Sequence, residues 1–172
     1  LVPEGTADVP VNDLIAIIAA EGEDPSSVQA GGAPKAEHTI AFEQAEPQPV
    51  RRIDPATGLV LPEPVPTLVE GHLYRPDAAH FVEDAVIWDR LSSRALTFGA
   101  PGGGQLAVAF PDMPMLGIWQ KPGANYLCIE PWQGHADPLG YSGDFRAKPG
   151  MLSLAPGASR RFRMDVTVLT AD

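Results

Sequence analysis

Residues 115–137 read MLGIWQKPGANYLCIEPWQGHAD. Two apolar runs, Met115–Gln120 and Asn125–Glu130, flank the turn Lys121-Pro122-Gly123-Ala124. Short apolar runs separated by Pro-Gly turn signals read as antiparallel strands. The same texture extends outward in both directions. Downstream, RRFRMDVTVL (160–169) alternates with a period of two, placing Phe162, Met164, Val166 and Val168 inward and Arg161, Arg163, Asp165 and Thr167 outward. Upstream, QLAVAF (105–110) points Leu106, Val108 and Phe110 one way, after a turn at Pro101–Gly104. AVIWD (85–89) and RALTFG (94–99) are strands joined through Arg90-Leu91-Ser92-Ser93, and HTIAFE (38–43) places Ile40 and Phe42 on one face. Residues 44–67 carry six prolines and read as an extended segment with a hairpin near Ala56-Thr57-Gly58.

The whole chain supports this texture. It has 172 residues with 17 glycines and 19 prolines, a density that breaks helices and suits short strands and turns. The expected fold is all-β, an antiparallel β-sandwich over residues 38–172. Its expected core comprises Ile40, Phe42, Val86, Trp88, Leu106, Val108, Phe110, Ile118, Leu127, Ile129, Phe162, Met164, Val166 and Val168. Hydrophobic residues make up 44%, enough for a packed core. Residues 1–24 carry turn signals and one apolar run, Leu14–Ala20, read as a strand, and residues 25–37 (PSSVQAGGAPKAE) read as a linker.

Charge narrows the partners. Twelve basic against 22 acidic residues give a net charge of −10, which speaks against nucleic acid and anionic membrane surfaces. Cys128 is the single cysteine, so a disulfide framework and a cysteine zinc site are excluded, and a reducing, cytoplasmic compartment is expected. No apolar run reaches the roughly 18 residues of a spanning helix. The start at Leu1 shows no signal-peptide pattern, and the lack of an initiator methionine reads as trimming or fragmentation. His38, His72, His80 and His135 stand at no metal-ligand spacing, so neither metal nor cofactor is expected.

The chemistry concentrates around Glu130. Alternation puts it on the face of Cys128 and opposite Ile129, at the end of an apolar strand before Pro131-Trp132. A carboxylate there is costly unless paired, hydrogen-bonded or open to a cleft, and such a setting can tune a general base. Trp119 and Trp132 offer ring faces to the CH patches of a sugar. The alternative is a salt-bridged strand-end carboxylate with core tryptophans. His135, in a His-Ala-Asp triplet, is a turn former or a sugar ligand. Asp84 enters a strand from a loop. Cys128, among apolar neighbours, reads as an inert thiol.

Residues 38–172 resemble the carboxy-terminal half of the aldose 1-epimerase (galactose mutarotase) family. The likeness is carried by LGIWQKPGANYLCIEPWQGHAD, by FVEDAVIWDRL and by GDFRAKPGMLSLAPGASRRFRMDV. It implies a β-sandwich with a sugar cleft, here an incomplete one, and interconversion of the α and β anomers of a free aldose. In that chemistry a glutamate takes the C1 hydroxyl proton while a histidine protonates the ring oxygen. The family glutamate falls on Glu130, and a sugar-holding aspartate falls on Asp84. The family's two histidine segments have no counterpart in this sequence, so the acid partner is absent and His135 is not at a catalytic position. Residues 1–24 resemble the last third of a lipoyl domain of 2-oxo acid dehydrogenase complexes. The lysine hairpin that carries the lipoyl group is not present there, and Lys35 does not match it.

Three functions follow as expectations. The leading one is an aldose 1-epimerase-like protein, inactive or weakly active alone. The second is a non-catalytic carbohydrate-binding module using Glu130, Trp132 and Asp84. The third is a component of a 2-oxo acid (pyruvate) dehydrogenase complex. The expected ligand is a monosaccharide, and exposed sheet edges are expected to promote self-association.

Overall fold

The computed structural model describes residues 38–100 and 102–169. The chain divides into two units, Leu1–Ala36 and Glu37–Asp172, and the described residues belong to the second. The readings of residues 1–24 and 25–37 lie outside them.

The described residues build eleven strands and no α-helix: β1 (Thr39–Phe42), β2 (Ile53–Asp54), β3 (Leu59–Val60), β4 (Val69–Glu70), β5 (Leu73–Tyr74), β6 (Val86–Trp88), β7 (Ala95–Gly99), β8 (Gln105–Ala109), β9 (Met115–Trp119), β10 (Cys128–Trp132) and β11 (Asp165–Leu169). All strand pairs are antiparallel. A six-stranded sheet runs β11-β8-β7-β1-β5-β4, a three-stranded sheet runs β10-β9-β6, and β2 pairs with β3. No helix here is long and apolar enough to cross a membrane.

The turns form where the sequence signals them. Ala124 N–H donates to the Lys121 carbonyl at 2.9 Å, and Gly123 takes a φ of 83° after Pro122, a conformation suited to glycine. The β2–β3 hairpin closes on Gly58 N–H donating to Asp54 O. Strand β10 departs from expectation by running through Pro131 to Trp132, so Glu130 stands at its middle and not at its end. Proline is tolerated because β10 is an edge strand, where one side of the backbone needs no donor.

The core lies between the two larger sheets. Ile40, Phe42, Leu96 and Val108 come from the six-stranded sheet, and Val86, Trp88, Leu116 and Ile118 come from the three-stranded one. Trp88 sits 5.6 Å from the ring of Phe42 and 5.4 Å from that of Tyr74. Leu106, Leu127 and Ile129 pack against this core half-buried.

The expected burial of Phe162, Met164, Val166 and Val168 is not observed, since all four are exposed. Register gives the reason. Val166 pairs with Val108, and Val168 with Leu106, so both valines do face the core side. Along the row Phe42–Leu96–Val108–Val166, however, burial holds for three residues and fails at the fourth, which is 55% exposed. The core beneath β1, β5 and β7 does not extend under β11. Residues 160–164, read as the start of this strand, lie outside its paired stretch, which begins at Asp165.

A buried polar cluster closes the other end. Tyr74 is fully buried, its hydroxyl 3.1 Å from His80 Nδ1. Asp77 N–H also donates to that nitrogen, so it is an acceptor and the hydroxyl is the donor. Burial pushes the Tyr74 phenol well above its ordinary value of 10.0; Arg52 partly offsets this and Asp77 adds to it. Above pH 10 the unfolded chain therefore holds fewer protons than the folded one. The stability tied to Tyr74 is complete below about pH 10 and lost as pH rises further. Urea unfolding of Tyr74→Phe should show a shallower alkaline loss of stability than the parent; an equal slope would contradict this account.

Candidate functional site

The three-stranded sheet has two faces with different duties. One face, carrying Val86, Ile118 and Ile129 in one row and Trp88, Leu116 and Pro131 in the next, looks toward the core. The opposite face carries Cys128 beside Trp119, Glu130 beside Gly117 and Ile87, and Trp132 beside Met115. Strand alternation thus gathers Trp119, Cys128, Glu130 and Trp132 on one surface.

Part of that surface is covered by the β2–β3 hairpin. Ile53 and Val60 pack on Ala85 and Ile87, with Trp119 and Trp132 half-buried against them. Val60 exchanges hydrogen bonds with the segment after β10, accepting from Leu139 N–H at 2.8 Å and donating to Asp137 O at 2.9 Å. Hairpin and loop therefore frame the face on which Glu130 stands half-exposed.

Gly117 fixes the position of Trp132. A Cβ on Gly117 would lie 2.6 Å from Trp132 Cζ2 and 2.7 Å from Cη2. The indole thus occupies the space a side chain would need. Gly117→Ala should push Trp132 off the sheet, cost about 1–3 kcal/mol in urea unfolding and shift tryptophan emission. Unchanged stability with unchanged emission would refute the packing role of Gly117.

Cys128 is coupled to Glu130. Burial raises its pKa first, and the Glu130 carboxylate adds to this by its charge and by accepting the thiol's hydrogen bond. Such a thiol is a weak nucleophile at neutral pH, as the inert reading requires. Iodoacetamide labelling of this single cysteine should need a pH above the usual thiol range, and Glu130→Gln should move the rate profile to lower pH. Coincident profiles would disprove the coupling.

The other candidates stand apart. Asp84 is exposed at the head of β6, two strands from β10. Its φ is 69°, the one positive value outside glycine among the described residues, and its Oδ1 accepts from Ala85 N–H at 2.6 Å. A left-handed aspartate stores backbone strain of the kind found at functional positions. His135 lies in the turn after β10, its Nδ1 2.7 Å from the Ala136 carbonyl, so that nitrogen is the protonated donor. Asp137 pairs with Lys148.

Sequence reasoning missed a pair on the same sheet face. Arg51 exchanges both backbone hydrogen bonds with Ile87, which extends the row Glu130–Gly117–Ile87 to Arg51. Its Nε donates to Asp89 Oδ2 at 2.8 Å. The alternation of Ala85, Ile87 and Asp89 was a usable signal for Asp89. Arg51, within the proline-rich segment, had none.

Two shallow grooves occur elsewhere. One of about 520 Å³ lies on the outer face of the six-stranded sheet, lined by Ala41, Thr97, Ala107 and Thr167 together with Glu43, His72 and Asp165. The other, about 280 Å³, is lined by His38, Phe98, Leu106 and Val168. Neither includes Glu130. The candidate site is assigned to the Glu130 face because a half-buried carboxylate and two indoles share it; the larger groove carries Glu43, His72 and Asp165 but no indole.

The paired sheets match solved structures. A galactose mutarotase-like protein from Lactobacillus casei ATCC 334 superposes with a TM-score of 0.64 at 20% identity, covering 78% of this chain and 47% of that one. A galactose mutarotase related enzyme from Lactobacillus acidophilus gives 0.64 at 26% identity, covering 83% and 48%. The chain has a galactose mutarotase-like fold. Two curated proteins, the plasmid and chromosomal LacX proteins of Lactococcus lactis subsp. lactis, are each 28% identical over 136 residues, 77% of this chain and 46% of theirs. The chain thus spans about half the length of the curated relatives it matches. No protein-family model matches. The lipoyl resemblance of residues 1–24 finds no support among these matches.

Proposed function

We propose that this mutarotase-like chain binds a free aldose on the Glu130 face, with Glu130 as the base for the anomeric hydroxyl. The observation that carries this is the placement of Glu130 between Trp119 and Trp132 on the sheet face turned from the main core, where both indoles also pack against the β2–β3 hairpin. The indoles supply flat apolar area for the CH side of a pyranose, and the carboxylate accepts from its hydroxyls. Likeness to a galactose mutarotase related enzyme supports the choice of ligand. His135, in the turn after β10, adds the proposed hydroxyl contact, whereas Asp84, two strands away, is assigned none.

Mutarotation needs two proton movements. The C1 hydroxyl gives up its proton to Glu130 while the ring oxygen takes one, the C1–O5 bond opens, and rotation about C1–C2 precedes reclosure. A positioned acid contributes about 10²–10⁴-fold. The Nδ1–H of His135 donates to the Ala136 carbonyl; because the family's two histidine segments have no counterpart in this sequence, this histidine is assigned to binding and not to acid catalysis. The reading is therefore a sugar-binding chain with slow mutarotation.

Polarimetry of freshly dissolved α-glucose and α-galactose, together with quenching of tryptophan emission, tests both parts. Binding is expected for the parent and for Glu130→Gln. Any rate above the buffer blank should fall about 10²-fold or to the blank in the variant, because the amide keeps the shape but takes no proton. His135→Ala should leave that rate in place and weaken binding. No quenching by any aldose would overturn the sugar reading, and loss of a fast rate in His135→Ala would make His135 the acid.

A further inference from the structure

One loop frames the Trp132 end of the Glu130 face, and it closes on itself. β10 ends at Trp132, and Gln133 Nε2 then donates to the Gly150 carbonyl at 2.8 Å. Gly134 and Gly150 meet backbone to backbone. A Cβ on Gly150 would lie 2.5 Å from Gly134 Cα and 3.3 Å from Met115 Cε of β9. Both glycines take positive φ, 98° and 82°, where a side chain is disfavoured. Residues 133–150 thus leave the sheet and return to it beside Met115. The closure brings Lys148 to Asp137, and their side chains form an ion pair.

The pair is unequal. The Lys148 side chain is 11% exposed, whereas that of Asp137 is 52% exposed. Taking an ammonium out of water is costly, and an aspartate facing solvent needs no such partner. The ammonium has no other partner among the described residues. What the arrangement achieves is one fixed carboxylate. Lys148 Nζ holds Oδ1, the Asp137 carbonyl accepts from Val60 N–H at 2.9 Å, and Pro138 restricts the backbone of the residue before it. Oδ2 accepts no hydrogen bond from the described residues. A carboxylate with one oxygen pinned and the other open is preorganised to accept from a ligand hydroxyl.

We propose that Asp137 is a second sugar-binding carboxylate that reads the C4 hydroxyl of the aldose, with Lys148 as its positioning residue. The proposal rests on the Glu130 reading. Glu130 and Trp132 are two residues apart on β10, a rise of roughly 7 Å, about the width of a pyranose ring. With C1 at Glu130 and the ring over Trp132, C4 stands opposite C1 and falls toward the turn after β10, which holds Asp137. The other direction along the strand offers less. There the face continues to Trp119 and Tyr126, and the Gln120 amide already donates to the Ala124 carbonyl at 2.7 Å. The acceptor that is held and open lies on the Trp132 side.

The test uses the full chain and three sugars, with binding read from tryptophan quenching. The parent should bind glucose about tenfold or more tighter than 4-deoxyglucose, as expected of one hydrogen bond to a charged group. In Asp137→Ala that gap should close, while the ratio of glucose to 2-deoxyglucose stays as in the parent. In Lys148→Met the gap should narrow, with 4-deoxyglucose bound as by the parent. A general disturbance of the fold would instead weaken all three sugars alike and leave the gap open. Equal binding of glucose and 4-deoxyglucose by the parent would overturn the proposal, and so would a gap that survives Asp137→Ala. An unchanged gap in Lys148→Met would remove Lys148 from its positioning role. The two levels fail differently: no binding of any sugar ends the Glu130 reading itself, whereas binding without a C4 gap ends only the role of Asp137.

Discussion

β9 is enclosed on both sides, with β6 and β10 as its hydrogen-bonded neighbours, and its phase determines what each face of the smaller sheet does. Leu116 and Ile118 point to the core; Gly117 and Trp119 point away. A slip of one residue against β10 would drive Glu130 into the aromatic interior and expose Ile129. The register is held from both directions. Leu116 and Ile118 are fully buried on one side, and Trp132 fits only over the missing side chain of Gly117 on the other. The same constraint that closes the core therefore presents the carboxylate.

A second carboxylate shows the opposite use of the same chemistry. Glu46 is fully buried, and its two oxygens accept from Ser93 N–H at 2.6 Å and Ser92 N–H at 3.0 Å. These bonds tie the connection between β6 and β7 to the segment that follows β1, and they leave the group no part in solution chemistry. Burial with satisfied hydrogen bonds reads as structure. Partial exposure beside ring faces reads as a site.

Much of this was legible in the sequence, for a definite reason. Period-two alternation reports facing, and it placed Cys128 with Glu130, Ile40 with Phe42, and Val166 with Val168 as observed. It does not report cover. Facing gave the side of Val166 and Val168 but not their exposure, because cover comes from whichever element lies opposite. Pro131 was read as a stop because tolerance of proline depends on edge position, a property of the sheet and not of the strand. Arg51 and Glu46 come from a proline-rich stretch with no period, where partners up to 47 residues away decide the outcome. The tilt of Asp84 into left-handed backbone likewise had no local marker.

Pro131 has a consequence beyond the local backbone. With its nitrogen lacking a hydrogen, β10 cannot template a further strand, and β4 is too short to do so. A strand added at that rim would meet a position with no donor, so the edge that carries Glu130 resists capture by another chain while its side-chain face is unaffected.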